Sequence, residues 1–452
     1  MLSRLRRHHP IDRLMILGFV AAIFSPACGR SSDFHQTAGG RGANSGQPVG
    51  SRGDDAGKAS GPSGPLRTYY IRASDMPKPN ATASAVNPAR IVARSEGDFL
   101  QLPPGFEAFE AAGNFRMPRQ MALLPNGDLL LSESDADRIT LLRDVDGDGR
   151  FERRWAWLES INRPFGIEPV GDHVYVAATD RILRCRYAAG DTVYEDEPEF
   201  VAWLTPGGYN AHWTRNLVYD PKSNRMFVSV GSQSNVGEEE PMRAAVHVFT
   251  VPGVIPEGGV RLELFASGLR NPVGLAREPV TGTIWTCVNE RDGLGDDLVP
   301  DYATGLVAGG FYGWPYSYIG RNPQPGALGA KRSDLVARAI VPDVLFESHS
   351  AALGIDFYTG TAFPERYRGG AFVAHHGSWN RSRRTGYKVV YLPFVEGKAV
   401  GGYEDFMVGF NPDPARSEVW GRPVGILMDD DGTLLVSDDG GDVVWRVRYA
   451  GE

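Results

Sequence analysis

Arginine recurs at one place in a repeated pattern. Arg119, Arg163, Arg215, Arg270 and Arg422 each stand at the start of a short apolar run, and His349 precedes another such run. If those starts converge, several guanidinium groups surround one opening and repel each other until an anion sits among them; their planar forks suit carboxylates. Any single one of these arginines could instead pair with a nearby carbonyl or aspartate, so it is the set that points to an anionic ligand. A second group has spacing suited to a cation. Asp144, Asp146 and Asp148 alternate before Gly149, with Glu152 after them, and so place oxygens around one centre as an EF-hand loop does. Trp155 stands where such a loop has its last glutamate, which leaves two readings, a structural Ca²⁺ site or a solvated acidic turn. The run Asp429, Asp430, Asp431, Gly432 reads more simply as a hairpin turn.

The elements that must position these residues come in six copies, beginning at Met117, Arg163, Thr214, Arg270, Ala352 and Arg422. Each has a strand of small apolar residues, then a turn, often of Asn-Gly, Thr-Gly or Asp-Gly type, then a strand of bulky apolar residues. Spacings of roughly 45 to 80 residues leave room for two more strands per copy, as radial repeats require. The pattern predicts an all-β chain whose residues 98–452 form a six-bladed β-propeller. A strand over 99–109 is expected to pair with the last blade and close the ring, removing its exposed edges. A β-sandwich with coincidental turns is the competing fold.

Composition agrees, since 55 glycines and 32 prolines in 452 residues favour turns and strands over helices. A net charge of −8 argues against nucleic acid as a partner. Residues 1–27 read as a signal peptide: Arg4, Arg6, Arg7 and Arg13 precede an apolar stretch over 14–24, and small residues lead to Cys28. Cleavage before a lipidated Cys28 or ordinary cleavage are both open, and each implies export, to the periplasm or to a lipid anchor on the outer membrane. Residues 28–66 form a flexible Gly/Ser-rich linker and 67–97 an extended lead-in. Cys185 and Cys287 lie in apolar runs that suit small buried side chains better than a disulfide.

The motifs His212-Trp-Thr-Arg-Asn-Leu217, Gly268-Leu-Arg-Asn-Pro-Val-Gly-Leu275, Asn289-Glu-Arg-Asp-Gly-Leu-Gly-Asp-Asp297, Gly310-Phe-Tyr-Gly-Trp-Pro315, His375-His-Gly-Ser-Trp-Asn-Arg381 and Gly421-Arg-Pro-Val-Gly425 occur in that order. Together they resemble the pyrroloquinoline-quinone (PQQ)-dependent glucose/sorbosone dehydrogenase family, and within it the sorbosone branch. The resemblance implies a propeller that binds PQQ, a tricarboxylate, with Ca²⁺, and oxidises a sugar or sugar aldehyde by hydride transfer from C1. It makes His212 the general base, a role that suits an imidazole whose ordinary pKa lies near neutrality. Arg270 and Asn271 match a pair at the quinone carbonyls, Arg422 a carboxylate-binding arginine, and Arg384 the place of a cofactor-binding lysine, with Arg381, Arg383 and Lys388 as close alternatives. Arg119 and Arg215 complete the expected cofactor contacts from the arginine set. For Ca²⁺, the family loop aligns with the backbone carbonyls of Arg291 and Asp292 and with Asp296.

Two departures from the family pattern matter. Arg291 and Asp292 replace a Gly-Pro of the glucose-oxidising branch. Ser232 stands where that branch has an aspartate orienting the histidine, so no charge is offered to an imidazolium there. No Cys-x-x-Cys-His haem motif occurs, so electrons are expected to pass to an external quinone or cytochrome. Two other functions compete: a propeller hydrolase such as a lactonase, which needs carboxylate ligands at the axis, and a non-catalytic binding propeller tethered at a membrane.

Overall fold

The computed structural model describes residues 47–48, 66–205 and 212–451. Chain contacts separate Met1–Asn44, which lies outside the described residues together with Cys28, from Ser45–Glu452. The expected signal peptide and most of the expected linker therefore fall outside the description. No helix among the described residues is long and apolar enough to cross a membrane.

Six sheets, each with four antiparallel strands and three of them with a short fifth strand, surround one axis. Their inner strands are Pro118–Leu123, Gly166–Val170, Leu217–Asp220, Asn271–Arg277, Ala352–Phe357 and Pro423–Met428, one from each repeat read in the sequence. We number the blades in that order. Each inner strand pairs with the bulky second strand of its own hairpin, as Val174 with Pro169 in blade 2 and Leu434 with Met428 in blade 6. Bulky residues alternate into the layers between blades, where Leu130, Ile139, Trp157, Ile167 and Val176 form the core shared by blades 1 and 2. Cys185 and Cys287 are buried and free, each inside such a layer.

The inner strands approach so closely that a side chain would collide where four of them carry glycine: Gly166 beside the Arg215 backbone, Gly274 beside Ile355, Gly354 beside Val424 and Gly425 beside Arg119. This is the physical origin of the small-residue pattern. The axis itself is filled: Met117, Phe165, Trp213, Val273, Leu353 and Val424, one from each blade, pack into a single apolar cluster. Register shifts just inside the starts of the inner strands of blades 1, 4, 5 and 6 re-aim the residues that precede this plug.

Ring closure occurs as expected but with a shifted strand. The closing strand is Phe106–Gly113, paired with Val443–Tyr449 of blade 6, rather than 99–109. Pro103 and Pro104 end the competing segment: proline lacks the N–H a ladder needs, and only an isolated bridge from Gln101 to Val408 forms there. The lead-in is not loose. Thr68–Tyr69 adds to the outer edge of blade 5, and Arg90–Ile91 lies parallel to Glu418–Val419.

Because the plug is common to all blades, Leu353→Ala should cost about 2–5 kcal/mol in urea unfolding without changing the strand content seen by circular dichroism. A cost below that of an ordinary surface substitution would show that the plug does not hold the axis.

Candidate active site

Two kinds of chain position meet at one end of the axis: the starts of inner strands and the ends of second strands. In blade 3 they bring His212 to Ser232. His212 Nδ1 lies 2.8 Å from the Ser232 carbonyl and 2.9 Å from Ser232 Oγ. The hydroxyl itself donates to the Ser234 carbonyl at 2.7 Å, so toward the ring it can only accept. Two acceptors at Nδ1 require the proton there, which leaves a lone pair on Nε2. Burial, then the charge of Arg270, lowers the His212 pKa to about 3; the Ser232 carbonyl and Asp292 oppose this without reversing it. His212 is therefore a neutral imidazole with an unprotonated Nε2.

Blade 4 supplies the neighbours. Any side chain at Gly231 would strike both Asn271 Oδ1 and the Cβ of His212, so glycine is what lets these two residues approach. Asn271 Oδ1 is buried and has no hydrogen-bond partner, an acceptor left for a ligand. Arg270 is buried and fixed: Nε donates to the Asn235 carbonyl at 2.9 Å, a terminal nitrogen to Asn235 Oδ1 at 2.9 Å, and the other to the Glu290 carbonyl at 2.7 Å. Asp292 lies 3.5 Å from Arg270 and 3.2 Å from His349 Nδ1, while Asn235 Oδ1 receives the Asp292 amide at 2.9 Å.

On the other side of the axis a buried carboxylate, Asp439, collects three partners. It pairs with Arg119, accepts from His376 Nε2 at 2.8 Å and lies 3.7 Å from Arg422 Nε. Burial would raise the Asp439 pKa, but His376, Arg119 and Arg422 hold it well below the usual carboxylate range. Arg422 also reaches His376 Nδ1 at 2.8 Å; burial and then the Arg422 charge lower the His376 pKa to about 4. His376 thus accepts from Arg422 and donates to Asp439. Trp213 links the two sides, since Arg163 lies 4.1 Å and Arg119 5.3 Å from its ring.

The arginines are brought together, but not as an open ring of unpaired charge. Five guanidinium groups (Arg119, Arg163, Arg215, Arg270, Arg422) meet three directly paired carboxylates, Asp135, Asp292 and Asp439. The cationic excess is smaller than the sequence suggested. Arg215 is wholly buried: it bonds the carbonyls of His212 and Thr214 and the Thr205 hydroxyl, and burial followed by the Arg243 charge lowers its pKa to about 9. It braces the His212 segment rather than offering itself to a ligand. The Arg384 guanidinium likewise donates to Arg416, Asn87 and Pro88 oxygens. Lys388, the alternative, is buried against Asp405 at 2.8 Å and Tyr69 at 2.9 Å. Arg381 pairs with Asp297 at 2.6 Å.

Two of the oxygens expected to hold Ca²⁺ beside the cofactor already accept hydrogen bonds within the protein. The Asp292 carbonyl accepts from Asn235 at 3.0 Å and from Arg291 Nε at 3.1 Å. The Asp296 carboxylate accepts from the Ser382 amide at 3.0 Å and from its hydroxyl. As arranged, the Asp292 carbonyl and the Asp296 carboxylate are engaged within the protein. In the acidic turn of blade 1, oxygens of Asp144, Asp146, Asp148 and Glu152 lie within 4.8 Å of one another, the only such group among the described residues, and each carboxylate also accepts a backbone amide of the turn. A cleft lined by Trp157, Arg181, Tyr194 and Phe200 contains none of these residues, so hydrogen bonding at the axis, not cavity size, locates the site.

A family model described as TrAA12-like matches residues 100–300 and 331–450. The chain belongs to this family. It is 27% identical over 381 residues to an uncharacterised protein of Borreliella burgdorferi, covering 81% of this chain and 96% of that one. It is 25% identical over 413 residues to the pyrroloquinoline quinone-dependent pyranose dehydrogenase of Coprinopsis cinerea, spanning 78% of this chain and 55% of the relative's length. The solved holo form of a pyranose dehydrogenase PQQ domain from Coprinopsis cinerea superposes with a TM-score of 0.66 at 22% identity, over 79% of this chain and 98% of that one. The resemblance drawn from the motifs therefore holds at the level of family and fold.

Sequence reasoning missed Asp439, His376 and Asn235. All three follow second strands, where Ser232, Asp292 and Asp296 carried the sequence argument and these three did not. An acidic or polar residue directly after a bulky strand, as in Ser437-Asp-Asp439, was the available signal.

In ¹⁵N-resolved spectra of the ligand-free protein, the His212 ring should show a protonated Nδ1 and an unprotonated Nε2 and should not titrate between pH 5 and 8. Ser232→Ala should preserve that tautomer through the remaining carbonyl. A titration near pH 6.5 would contradict the geometry.

Proposed function

We propose that this chain is a quinoprotein dehydrogenase that oxidises a sugar or sugar aldehyde at C1 with PQQ. The observation that carries the proposal is the neutral, Nδ1-protonated His212 set beside Arg270 and the unpartnered Asn271 Oδ1. The pyranose dehydrogenase relative and its PQQ-domain fold support the same reading. Arg119, Arg270, Asn271 and Arg422 are the residues that would hold the cofactor, with Arg422 still one-third exposed and able to turn toward a carboxylate. When bound, the quinone supplies a two-electron acceptor for the hydride leaving C1.

His212 Nε2 takes the hydroxyl proton as that C–H bond breaks. The imidazolium formed is stabilised by the Ser232 carbonyl and by Asp292 at longer range, with no carboxylate at Nδ1. His212 is therefore a weak base in the ligand-free site. Burial is the larger cause of that weakness and the Arg270 charge the second; an anion placed beside Arg270 offsets the second and so raises the His212 pKa. Arginines at the axis, and no carboxylate cluster of metal spacing there among the described residues, argue against a metal-dependent lactonase.

Electrons would leave to an external quinone or cytochrome. The basic and apolar residues before Cys28 support export and a membrane attachment there. Calcium is proposed only for the acidic turn of blade 1, as a structural ion.

Adding PQQ should shift its absorption and confer dye reduction on a panel of aldoses and sugar aldehydes. No spectral change and no dye reduction would remove the proposal. His212→Asn should keep quinone binding and lose about 10²–10⁴-fold in kcat. Ser232→Asp should move the acidic limb of kcat/KM upward, because a carboxylate at Nδ1 favours the protonated ring; an unmoved limb would show that Ser232 does not set the basicity of His212. Millimolar Ca²⁺ should raise the melting temperature of the wild type but not of Asp146→Asn/Asp148→Asn, whereas equal shifts would leave a solvated turn.

A further inference from the structure

Between its two anchors on the propeller, the lead-in crosses the rim of the site. One anchor is Tyr69, stacked on Tyr403 with centroids 4.6 Å apart; the other is the pairing of Arg90–Ile91 with Glu418–Val419. Residues 80–88 lie outside the part of the chain matched by the family model, which begins at residue 100. They nevertheless make ordered hydrogen bonds to two loops of the site.

The first loop is 291–297. The Asn80 amide donates to the Leu294 carbonyl at 2.8 Å, Ser84 Oγ accepts the Gly295 amide at 2.9 Å, and Thr82 Oγ1 accepts the Asp296 amide at 2.8 Å. Gly295 has φ +111°, and a side chain there would press on the Thr82 carbonyl and hydroxyl, so the loop is shaped to receive this strap. The second loop is 378–384. Asn380 donates to the Ala85 carbonyl at 2.5 Å, the Asn87 amide to the Trp379 carbonyl at 2.8 Å, and Asn87 Nδ2 to the Arg381 and Ser382 carbonyls at 3.0 and 3.1 Å.

The first contact leads to the catalytic base by a short chain of bonds. Gly295, held by Ser84, presents its carbonyl to His349 Nε2 at 3.0 Å; His349 Nδ1 meets Asp292 at 3.2 Å; Asp292 faces Arg270, whose charge lowers the His212 pKa. Moving the loop moves Asp292 and so changes the balance of charge at His212.

We propose that residues 80–88 are a working part of the site, with Thr82 and Ser84 as positioning residues that fix the 291–297 loop, and through Asp292 the setting of Arg270 and His212. The catalytic consequence rests on the quinoprotein reading; the positioning of the loop does not. Both hydroxyls sit at the surface of the fold, away from the blade cores, so removing them should leave the propeller intact.

The test compares wild type, Thr82→Val/Ser84→Ala and Thr82→Ser by amide hydrogen exchange in the ligand-free protein and by PQQ titration. Loss of two hydrogen bonds should speed exchange at Gly295 and Asp296 by about tenfold or more, and weaken PQQ binding by about tenfold, with the melting temperature within a few degrees of wild type. The His212 ring shifts should move in the double variant, and Thr82→Ser, which keeps the hydroxyl, should match wild type in every readout. Unchanged exchange at both amides in the double variant overturns the proposal. Faster exchange with unchanged PQQ affinity and unchanged His212 shifts overturns its link to the site. If wild type itself binds no PQQ, the quinoprotein reading fails, and the exchange rates and His212 shifts still decide the role of the strap.

Discussion

Six inner strands that start around one axis force their first residues into a small volume, and when several of those residues are arginines their mutual repulsion has to be answered within it. Blade 6 answers for two of them: Asp439, at the end of its second strand, lies against Arg119 of blade 1 and Arg422 of its own blade. Blade 1 gives Asp135 to Arg163 of blade 2, and the loop after the second strand of blade 4 gives Asp292 to Arg270. Removing a buried partner such as Asp439 would leave uncompensated charge in a desolvated place, which is far costlier than losing a surface ion pair. The apolar plug below fixes where the charges stand, so the electrostatics and the packing depend on the same geometry.

Partial neutralisation has a chemical use. A fully paired rim would not attract an anion, and an unpaired one would be unstable without it. Arg422, paired with Asp439 yet still one-third exposed, remains a cation that an anionic ligand can take up, while burial and then the Arg270 charge keep His212 unprotonated. Ser232 is consistent with this arrangement. It fixes the ring tautomer as a carboxylate would, while leaving the basicity of the ring to burial and then to the Arg270 charge.

The fold was largely legible because its demands repeat. Small residues mark close inner strands, bulky ones mark interblade layers, and six copies make the pattern visible above local variation. The closing strand was displaced because the sequence reading weighed the hydrophobic residues of 99–109 and not the two prolines that break a ladder there. The site was legible where it sits on inner strands, as with His212, Arg270, Asn271 and Arg422. It was illegible where function depends on pairing between distant segments: Arg384 looks like Arg422 in sequence, and only the Asn87 and Pro88 oxygens around it show that it braces backbone. Asp439 and the strap at 80–88 act across more than 300 and 200 residues of chain respectively, as their partners Arg119 and Asp296 show, and no local pattern encodes such contacts.

In the proposed reaction, hydride leaves C1 of a sugar for the bound quinone and His212 takes the accompanying proton. Stopped-flow reduction of the bound quinone by an aldose deuterated at C1 tests it most directly. The account predicts that reduction slows severalfold with the deuterated sugar in the wild type, and that His212→Asn lowers the rate with either sugar while the quinone stays bound. Reduction that is indifferent to deuterium at C1, or that survives unchanged in His212→Asn, would contradict it.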